Sequence, residues 1–283
     1  MNDESTESAA KQYRSLWDPD LEGGYPANHF AFRQVLNVLH DEGAKTLIEI
    51  GVGGGRAIPI FTEAGLDMYG VDIDPGMVAT SAGVMAGAGL PAERASWGDI
   101  EDSVSLSAVR RLGPFDALLA MGVLPHVGHE RVALENMRHL VKPGGTVFVE
   151  CRNKLFSLVT FNRLTYEFIM DDLLGDVRGE VRAKAGEFLK ARVDVDVPPT
   201  PSSGHAAKYH NPLDIHEVFV DAGFIDIRVR PFHYHAAMPR FEKELGAAFR
   251  AESIALENEP SDWRGLFLCS AFVVEAHRPC EAS

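Results

Sequence analysis

The sequence predicts an α/β protein built on a doubly wound, mainly parallel sheet. Short apolar segments alternate with amphipathic segments between residues 46 and 153, which is the pattern of strands followed by helices. Glycine- and proline-containing breaks, such as EIGVGGG and VKPGGT, mark the changes from one element to the next. In sheets of this kind, ligands bind outside the carboxyl ends of the strands. We therefore expect the functional residues at that edge.

Each element has its own signal in the sequence. Strands are predicted at TLIEIGV, DMYGVDID, ERASWGDI, FDALLAMGVL and TVFVECRN, and later at IDIRVRPFHYH and LFLCSAFVVEAHR. Helices are predicted in residues 10–43, and at GRAIPIFTEAG, PGMVATSAGVMAGAG, HERVALENMRHLVKPGG, NPLDIHEVFVDAGF and PRFEKELGAAFRAESIAL. The alternation stops after residue 153. Residues 154–209 are too long for a plain connection, so we interpret them as a mainly helical insertion over the ligand edge.

Composition limits the classes of partner. The 283 residues include 41 acidic and 27 basic side chains, a formal net charge of −14 at pH 7. Such a surface repels phosphate backbones, so we expect no nucleic-acid partner. No apolar run approaches the ~20 residues that span a bilayer, and the start MNDESTESAAKQ is not typical of a secretory signal. Cys151, Cys269 and Cys280 lack metal-type spacing and suit a reducing compartment, so we expect a cytoplasmic protein without a membrane partner.

Four glycines in EIGVGGGRAI indicate a close approach between backbone and ligand. They follow a strand and precede a helix, where glycine lets the chain pass near a bound molecule. A dinucleotide site needs the pattern G-x-G-x-x-G; Gly51 and Gly53 begin it, but Arg56 stands in place of the third glycine. The turn by itself is also compatible with a tight strand–helix connection that binds nothing.

Two acidic residues make a ligand site more specific. Asp72 ends the second strand about 20 residues after the turn, where a carboxylate accepts hydrogen bonds from ribose hydroxyls. Asp99 ends the third strand in WGDI, where it can accept from an exocyclic amine. Both carboxylates would repel a pyrophosphate, which argues against a dinucleotide.

In this order, the motifs E-x-G-x-G-x-G, YGVDIDP, WGDI, FDALLAMGVL and LVKPGGTVFVE resemble the class I S-adenosylmethionine-dependent methyltransferases. The resemblance covers residues 46–150 and, more loosely, the last strands. It implies a seven-stranded sheet whose final strand is antiparallel, with S-adenosylmethionine as cofactor. It also implies a set of cofactor-binding residues: Gly51, Gly53 and Gly55 under the methionine half, Glu49 near that half, Asp72 on the ribose, Ile73 on the adenine, Asp99 at the adenine amine with Ile100 beside it, and Met121 near the methionine end.

The domain organisation follows from these assignments. Residues 1–45 are predicted to form a helical segment, and its aromatic residues Tyr13, Trp17 and Tyr25 could make it a lid over the cofactor. Residues 46–153 form the Rossmann-like cofactor-binding half, residues 154–209 the helical cap, and residues 210–283 complete the sheet. The stretch RNKLFSLVTFNRLTYEF is similar to bacterial methyltransferases associated with surface-sugar or secondary-metabolite pathways.

Two missing motifs limit the methyl acceptor. Enzymes that methylate exocyclic amines of bases resemble one another in an Asn/Asp-Pro-Pro-aromatic motif after the fourth strand, where this chain has MGVLPH. Methylation of a cytosine carbon needs a nucleophilic cysteine, but Cys151 has no preceding proline and is expected to be buried and inert. We therefore expect a small acceptor.

Histidines are the candidate acid–base groups. A hydroxyl acceptor needs a base, for which a histidine is suited near neutral pH. His126, after the fourth strand, and His210, where the insertion rejoins the fold, are the candidate catalytic residues, although each could instead be a packed or capping side chain. Three further histidines fall in loops of the same edge and favour a polar acceptor pocket: His205, His233 and His235. No histidine combines with Asp171 and Asp172 at convincing ligand spacing, so we predict no metal.

The sequence therefore predicts S-adenosylmethionine-dependent methyl transfer to an oxygen or nitrogen of a small polar metabolite. Two alternatives remain open at this point. One is a methyltransferase that acts on protein or RNA, and the other is a regulatory or assembly protein that binds the cofactor without transfer. The oligomeric state and the acceptor itself do not follow from the sequence.

Overall fold

The computed structural model describes residues 25–197, 207–260 and 262–280. Its centre is a seven-stranded sheet in the order β3-β2-β1-β4-β5-β7-β6. The strands are β1 Thr46–Ile50, β2 Asp67–Asp72, β3 Ala95–Trp97, β4 Phe115–Ala120, β5 Val141–Arg152, β6 Ile225–Tyr234 and β7 Cys269–His277. Strands β1 to β5 are parallel, and β7 is antiparallel to both of its neighbours, β5 and β6. The predicted fold class, with an antiparallel last strand, is confirmed.

Helices connect and cover these strands. They are α1 Ala27–Asp41, α2 Ala57–Glu63, α3 Pro75–Gly87, α4 Ser107–Arg110, α5 Glu130–Leu140, α6 Ser157–Thr160, α7 Arg163–Glu167, α8 Gly179–Lys190, α9 Ile215–Asp221, α10 Glu242–Leu245, α11 Ala247–Glu257 and α12 Gly265–Leu268. Short 3₁₀ turns lie at Ala92–Arg94, Leu124–His126 and Pro239–Phe241, and a π-helical turn lies at Phe168–Leu173.

The start of α3 shows how the sequence sets a helix boundary beside the site. Pro75 occupies the first helical position, where its fixed φ suits a helix and its missing N–H leaves nothing unsatisfied. The Asp74 carboxylate accepts a hydrogen bond from the Gly76 backbone N–H at 2.7 Å. With this cap, α3 begins at Pro75, three residues after the last residue of β2.

Two apolar layers hold the helices against the sheet. On one face, α1, α2 and α3 pack through buried side chains such as Val35, Phe61 and Met85. On the other face, α5 and α9 pack through Met137 and Phe219, among others. Because both faces are covered, the ligand edge formed by the strand ends is the part of the sheet left for a site.

The insertion leaves and rejoins the sheet at one point. The Lys154 N–H donates to the His210 carbonyl at 2.8 Å, and the His210 N–H donates to the Arg152 carbonyl at 2.7 Å. Between them lie α6, α7, the π-helical turn and α8, with the Asn162 side chain capping α7 through the Leu164 N–H. The helices thus stand over the carboxyl end of β5.

The structure differs from the predicted elements at several boundaries, and two of these differences replace or divide a predicted element. The predicted last strand began at residue 266, but Gly265–Leu268 form helix α12, and β7 starts at Cys269. The predicted helix at 239–256 is divided at Gly246, whose φ of 54° ends α10 before α11 begins. Both differences arise where tertiary packing and a left-handed glycine override local apolar pattern.

Candidate active site

The glycine turn follows β1, and the surroundings that a side chain would meet differ from one of its glycines to the next. Gly51, Gly53 and Gly55 all have positive φ, at 70°, 52° and 77°. A Cβ on Gly51 would lie 2.5 Å from the Val123 side chain, and one on Gly55 would lie 2.8 Å from Ile58. A Cβ on Gly53 would meet only the Gly51 carbonyl oxygen, at 3.9 Å. Gly53 therefore faces open space, where a ligand could approach the backbone.

Asp72 ties the end of β2 to this turn. Its carboxylate accepts hydrogen bonds from the Gly53 N–H at 2.8 Å and from the Asp74 N–H at 2.9 Å. The side chain is 8% exposed, so the charge is compensated mainly by these backbone donors. Each carboxylate oxygen can accept a further hydrogen bond, which leaves capacity for ribose hydroxyls.

Glu49 lies beneath the turn with an unsatisfied carboxyl oxygen. Its Oε2 is buried and has no hydrogen-bond partner among the described residues. Burial, with the nearby charge of Asp72 as a second cause, raises the pKa of Glu49 to about 8. A buried acid without a partner is costly, and a cationic ligand group near it would lower that cost.

Apolar side chains are exposed on the adenine side predicted from the sequence. Ile73 is 61% exposed, and Trp97, which sequence reasoning passed over, is 52% exposed and donates its indole N–H to the Ile73 carbonyl at 2.9 Å. Asp99 accepts from the Glu101 N–H at 2.8 Å through one oxygen, while Ile100 is buried in the core. The exposed apolar pair and the adjacent carboxylate provide a surface for a flat base with an amine edge.

These residues fit S-adenosylmethionine. Its ammonium group could pair with the Glu49 oxygen that has no hydrogen-bond partner, and its ribose hydroxyls could donate to Asp72. Its methionine half could lie against the backbone at the open side of Gly53. Met121 is partly buried at the end of β4, and Gly122 beyond it has a φ of 71° with no atom within 4 Å of an added Cβ. The site does not suit a pyrophosphate, because the carboxyl groups of Glu49 and Asp72 lie at the same turn and would repel its charge.

A cavity of about 670 Å³ opens beside this turn on the same edge. It is bounded by the ends of β5 and β6, the beginning of β7, and the insertion. Its lining includes the polar residues Glu150, Arg152, Asn162, Asp194, Tyr209, His233, Arg240 and Ser270, and the apolar residues Phe156, Leu164, Val197 and Ala271. The size is that of a pocket for a small organic molecule.

Glu150 connects the cavity with the cofactor side. It lines the cavity near the end of β5, and the backbone N–H of Gly122, at the end of β4, stabilises its charge. Burial raises the pKa of Glu150 to about 7, against the lowering effects of Arg152 and Gly122. A carboxylate with this pKa can take up a proton near neutral pH.

Two of the predicted histidines line the cavity as neutral rings. Burial lowers the pKa of His233 to about 4, and burial together with His233 lowers that of His235 to about 3. The His233 and His235 rings lie 4.8 Å apart, and His235 packs on Phe156 at 4.7 Å. His233 Nδ1 lies 2.9 Å from the Ser270 hydroxyl. The two neutral imidazole rings therefore form an uncharged, polarisable part of the cavity wall.

Tyr25 closes the far side of this ring stack. It lies 5.0 Å from the His233 ring in a stacked arrangement, and its hydroxyl donates to Glu257. Burial raises the pKa of Glu257 to about 7, and the pKa of the Tyr25 hydroxyl is also raised by burial. Tyr13 and Trp17, the other aromatic residues of the predicted lid, lie outside the described residues.

The two candidate catalytic histidines lie apart from the cavity lining. His126 is exposed at the end of the 3₁₀ turn after β4. His210 is 8% exposed, its Nε2 lies 3.4 Å from a Glu130 oxygen, and burial lowers its pKa against the opposing effect of Glu130. His205 lies outside the described residues. The structure thus brings the predicted cofactor-binding residues to one edge, and their roles, like the catalytic role of His126 and His210, remain predictions.

Asp171 and Asp172, the aspartates weighed against a metal site in the sequence, each pair with a basic side chain in the structure. Asp171 pairs with Arg182 at 3.1 Å, and Asp172 pairs with Lys154 at 2.5 Å. Across the three described ranges, no group of three or more His, Cys, Asp or Glu side chains has the geometry to hold a metal ion.

The sheet order, the antiparallel β7, the glycine turn and the strand-end carboxylates are those that the resemblance to class I methyltransferases implies. Residues 48–147 match the family model described as a methyltransferase domain. This part of the chain is a methyltransferase domain, and the predicted class, the S-adenosylmethionine-dependent methyltransferases, is confirmed together with its cofactor.

The chain is also similar to curated enzymes. The ubiquinone biosynthesis O-methyltransferase of Caulobacter vibrioides is 27% identical over 125 residues, which cover 44% of this chain and 48% of the relative. The same enzyme of Paraburkholderia xenovorans is 28% identical over 157 residues, 54% of this chain and 64% of the relative. The chain thus spans about half to two thirds of the length of these relatives.

Among solved structures, the magnesium protoporphyrin IX methyltransferase of Synechocystis with bound S-adenosylhomocysteine has a TM-score of 0.48 and 17% identity, over 88% of this chain and 83% of that one.

Proposed function

We propose that this protein transfers a methyl group from S-adenosylmethionine to an oxygen or nitrogen of a small polar metabolite in the cytoplasm. The observation that carries the proposal is the shared edge: the glycine turn with Asp72 and the cavity of about 670 Å³ both lie at the strand ends, and Glu150, which lines the cavity, is hydrogen-bonded by the Gly122 backbone after β4. No helix in the described part of the chain is long and apolar enough to cross a membrane. The net charge of −14 supports an acceptor other than nucleic acid.

The cofactor site would use the residues that the resemblance implied. Glu49 would hold the ammonium, Asp72 the ribose hydroxyls, and Asp99 the adenine amine, with Ile73 against the ring. Gly53 supplies the open backbone surface, whereas Gly51 and Gly55 shape the turn through their contacts with Val123 and Ile58. Met121 and Ile100 complete the walls of this site.

Residues 154–209 would cover the acceptor. Phe156, Leu164, Asp194 and Tyr209 line the cavity from this segment, which supports an enclosed pocket rather than an open groove for RNA or protein. The names of the curated relatives describe methylation of oxygen in ubiquinone biosynthesis, which favours an oxygen acceptor for this chain.

The mechanism divides between alignment and proton transfer. When bound, S-adenosylmethionine supplies an electrophilic methyl group on a sulfonium leaving group. The cavity walls hold the acceptor against the Gly122 end of the cofactor site, and alignment of this kind supplies much of the acceleration. Glu150 Oε takes the proton that a hydroxyl acceptor must lose, because its pKa of about 7 leaves part of it ionised near neutral pH. His126 and His210 remain the alternative bases predicted from the sequence.

The test has two stages. Calorimetry with S-adenosylmethionine measures cofactor binding, and incubation with methyl-labelled cofactor and a panel of small phenols, alcohols and amines measures transfer. We expect binding and labelled product. Binding without transfer to any panel member, under conditions that label a control acceptor with a known methyltransferase, would favour the non-catalytic alternative. No binding would contradict the assignment of the site.

A further inference from the structure

The cavity at the ligand edge is lined by two arginines, Arg152 and Arg240, that form no ion pair with a described residue. Arg152 follows Glu150 by two residues on β5, so both side chains point from the same side of the strand into the cavity. Arg240 also lines the cavity, from the turn Pro239–Phe241. No carboxylate of a described residue lies within 4.0 Å of either guanidinium. Arg240 instead rests 5.1 Å from the Phe241 ring.

This arrangement differs from that of an arginine on β6, two strands away from β5 in the sheet. Arg230 on β6 is paired with Glu275, a buried carboxylate on β7. A chain with a net charge of −14 has an excess of acids to place beside its arginines. Arg152 is half-buried and Arg240 is exposed, so both guanidiniums are available to a ligand that brings a negative charge into this cavity.

The acidic residues that line the cavity do not supply this negative charge. Glu150 has its pKa raised to about 7 and is the proton acceptor of the proposed reaction, so it is partly neutral at working pH. Asp194 is exposed at the rim, on the part of the insertion that bridges to Asn162. Neither forms an ion pair with the two arginines.

The remaining walls favour a flat ring. Phe156 packs on His235 at 4.7 Å, and Leu164 and Ala271 add apolar surface. Both nitrogens of His235 are buried without a partner among the described residues, and the ring is neutral because burial lowers its pKa. A neutral aromatic wall binds a planar group through stacking.

We propose that the methyl acceptor is a hydroxylated aromatic acid. Its carboxylate is bound by Arg152 and Arg240, its ring lies along Phe156 and His235, and its hydroxyl faces Glu150. The inference rests on the proposed function, because it assumes that the cavity holds the acceptor. It adds the chemical class, an organic anion with a ring, to the small polar metabolite named above.

The probes are para-hydroxybenzoate and its neutral amide, para-hydroxybenzamide. Their binding is measured by saturation-transfer NMR and calorimetry on the full chain saturated with S-adenosylhomocysteine, so no turnover is needed. We expect the carboxylate to bind about tenfold or more tightly than the amide, the scale of a charge-assisted, two-pronged contact. Arg152→Gln should remove most of that preference, because the acid loses a charge-assisted contact whereas the amide loses only a weaker hydrogen bond. Arg240→Gln, at an exposed position, should reduce the preference by a smaller factor.

Arg192→Gln is the matched control. Arg192 lies on the insertion, donates to the Phe188 carbonyl at 2.9 Å, and is not among the residues that line the cavity. Arg192→Gln also removes one positive charge, so a general electrostatic effect would appear in it as well. Thermal melting of each variant identifies any loss of folding.

The outcomes separate this inference from the function on which it rests. Equal affinity for acid and amide, an unchanged preference in Arg152→Gln, or no binding of either probe to a protein that still binds S-adenosylhomocysteine overturns the acceptor class. Failure of S-adenosylhomocysteine itself to bind the folded protein would instead overturn the proposed function.

Discussion

The two halves of the ligand edge are assembled in different ways. The cofactor side is drawn from one continuous stretch, from Glu49 through the turn to Asp72 and on to Gly122, in the order of the strands. The acceptor side combines separate segments: the end of β5, the insertion, the end of β6 and the beginning of β7. Local sequence pattern therefore specifies the first half, whereas the second exists only after the chain has folded.

The difference extends to electrostatics. The cofactor side places acids against the turn, and Asp72 is satisfied by backbone donors. The acceptor side combines two unpaired arginines, one acid with a raised pKa and two neutral histidines. One side suits a cation and a ribose, and the other suits an anion with a proton to lose.

The largest effect is expected at Gly53. Valine there must adopt a φ near 52°, which β-branched residues avoid, and its side chain would enter the space assigned to the methionine half. We expect Gly53→Val to weaken S-adenosylmethionine binding by more than about 100-fold, as measured by calorimetry. Gly54→Ala is the control, because an added Cβ at Gly54 meets no atom within 4 Å. Normal binding by a folded Gly53→Val protein would show that the turn does not contact the cofactor.

Glu150 carries the next largest effect, on the acceptor side. Glu150→Gln keeps the size of the side chain but cannot take a proton, so we expect turnover to fall by about 100-fold with cofactor affinity unchanged. The wild-type rate should rise with pH through about 7, the pKa of Glu150, and this rise should be absent from the variant. The measurement is kcat from about pH 5 to pH 9 on the acceptor identified by the panel.

The same assay tests the histidine hypothesis from the sequence. If His126 or His210 is the base, His126→Ala or His210→Ala should lower turnover by at least ~100-fold with little change in cofactor affinity. Near-normal rates in Glu150→Gln together with such a loss in a histidine variant would transfer the role to that histidine. Asn or Gln at position 126 or 210 distinguishes hydrogen bonding from proton removal.

A smaller effect is expected at Asp72. Its alanine variant loses the contact to the ribose and the support that Asp72 gives to the Gly53 and Asp74 N–H groups. We expect S-adenosylmethionine binding to weaken by ~1.5–3 kcal/mol, the scale for hydrogen bonds to a charged group. Asp72→Asn, which keeps the acceptor oxygen without the charge, should lose less. Unchanged affinity in Asp72→Ala would remove the ribose assignment.

What could be predicted from the sequence also differs between the cofactor side and the acceptor side. The alternation of strands and helices and the position of Asp72 at a strand end could be predicted from the sequence, because both are local signals, and the antiparallel last strand followed from the family resemblance. Arg152 and Arg240 could not be found in this way, since they lie far apart in the chain and neither belongs to a motif. Glu150 was visible as the end of an apolar strand, but its role depends on burial and on Gly122, which only the tertiary structure supplies.

The smallest expected effect is a pH dependence of S-adenosylmethionine affinity that arises from the proton on Glu49. Burial and the charge of Asp72 raise its pKa to about 8, so most of the cofactor-free protein carries a neutral Glu49 at neutral pH. Because the raised pKa favours the neutral form, this group disfavours folding of the cofactor-free protein progressively as pH rises from its ordinary range toward 8. A bound ammonium reverses the preference, since it stabilises the carboxylate.

Binding of S-adenosylmethionine should therefore release a proton from Glu49. The affinity should rise with pH by at most about tenfold per unit and level off above about 8, after correction for titration of the cofactor's own amine. Calorimetry near pH 7 in buffers of different ionisation enthalpy measures the proton directly. Glu49→Gln is the control: it retains the size of the side chain but has no proton to lose, so the cofactor's contribution alone should remain. Equal proton release by the wild type and Glu49→Gln would show that the buried carboxyl does not face the ammonium, and would confine the electrostatic contrast between the two halves to the acceptor side.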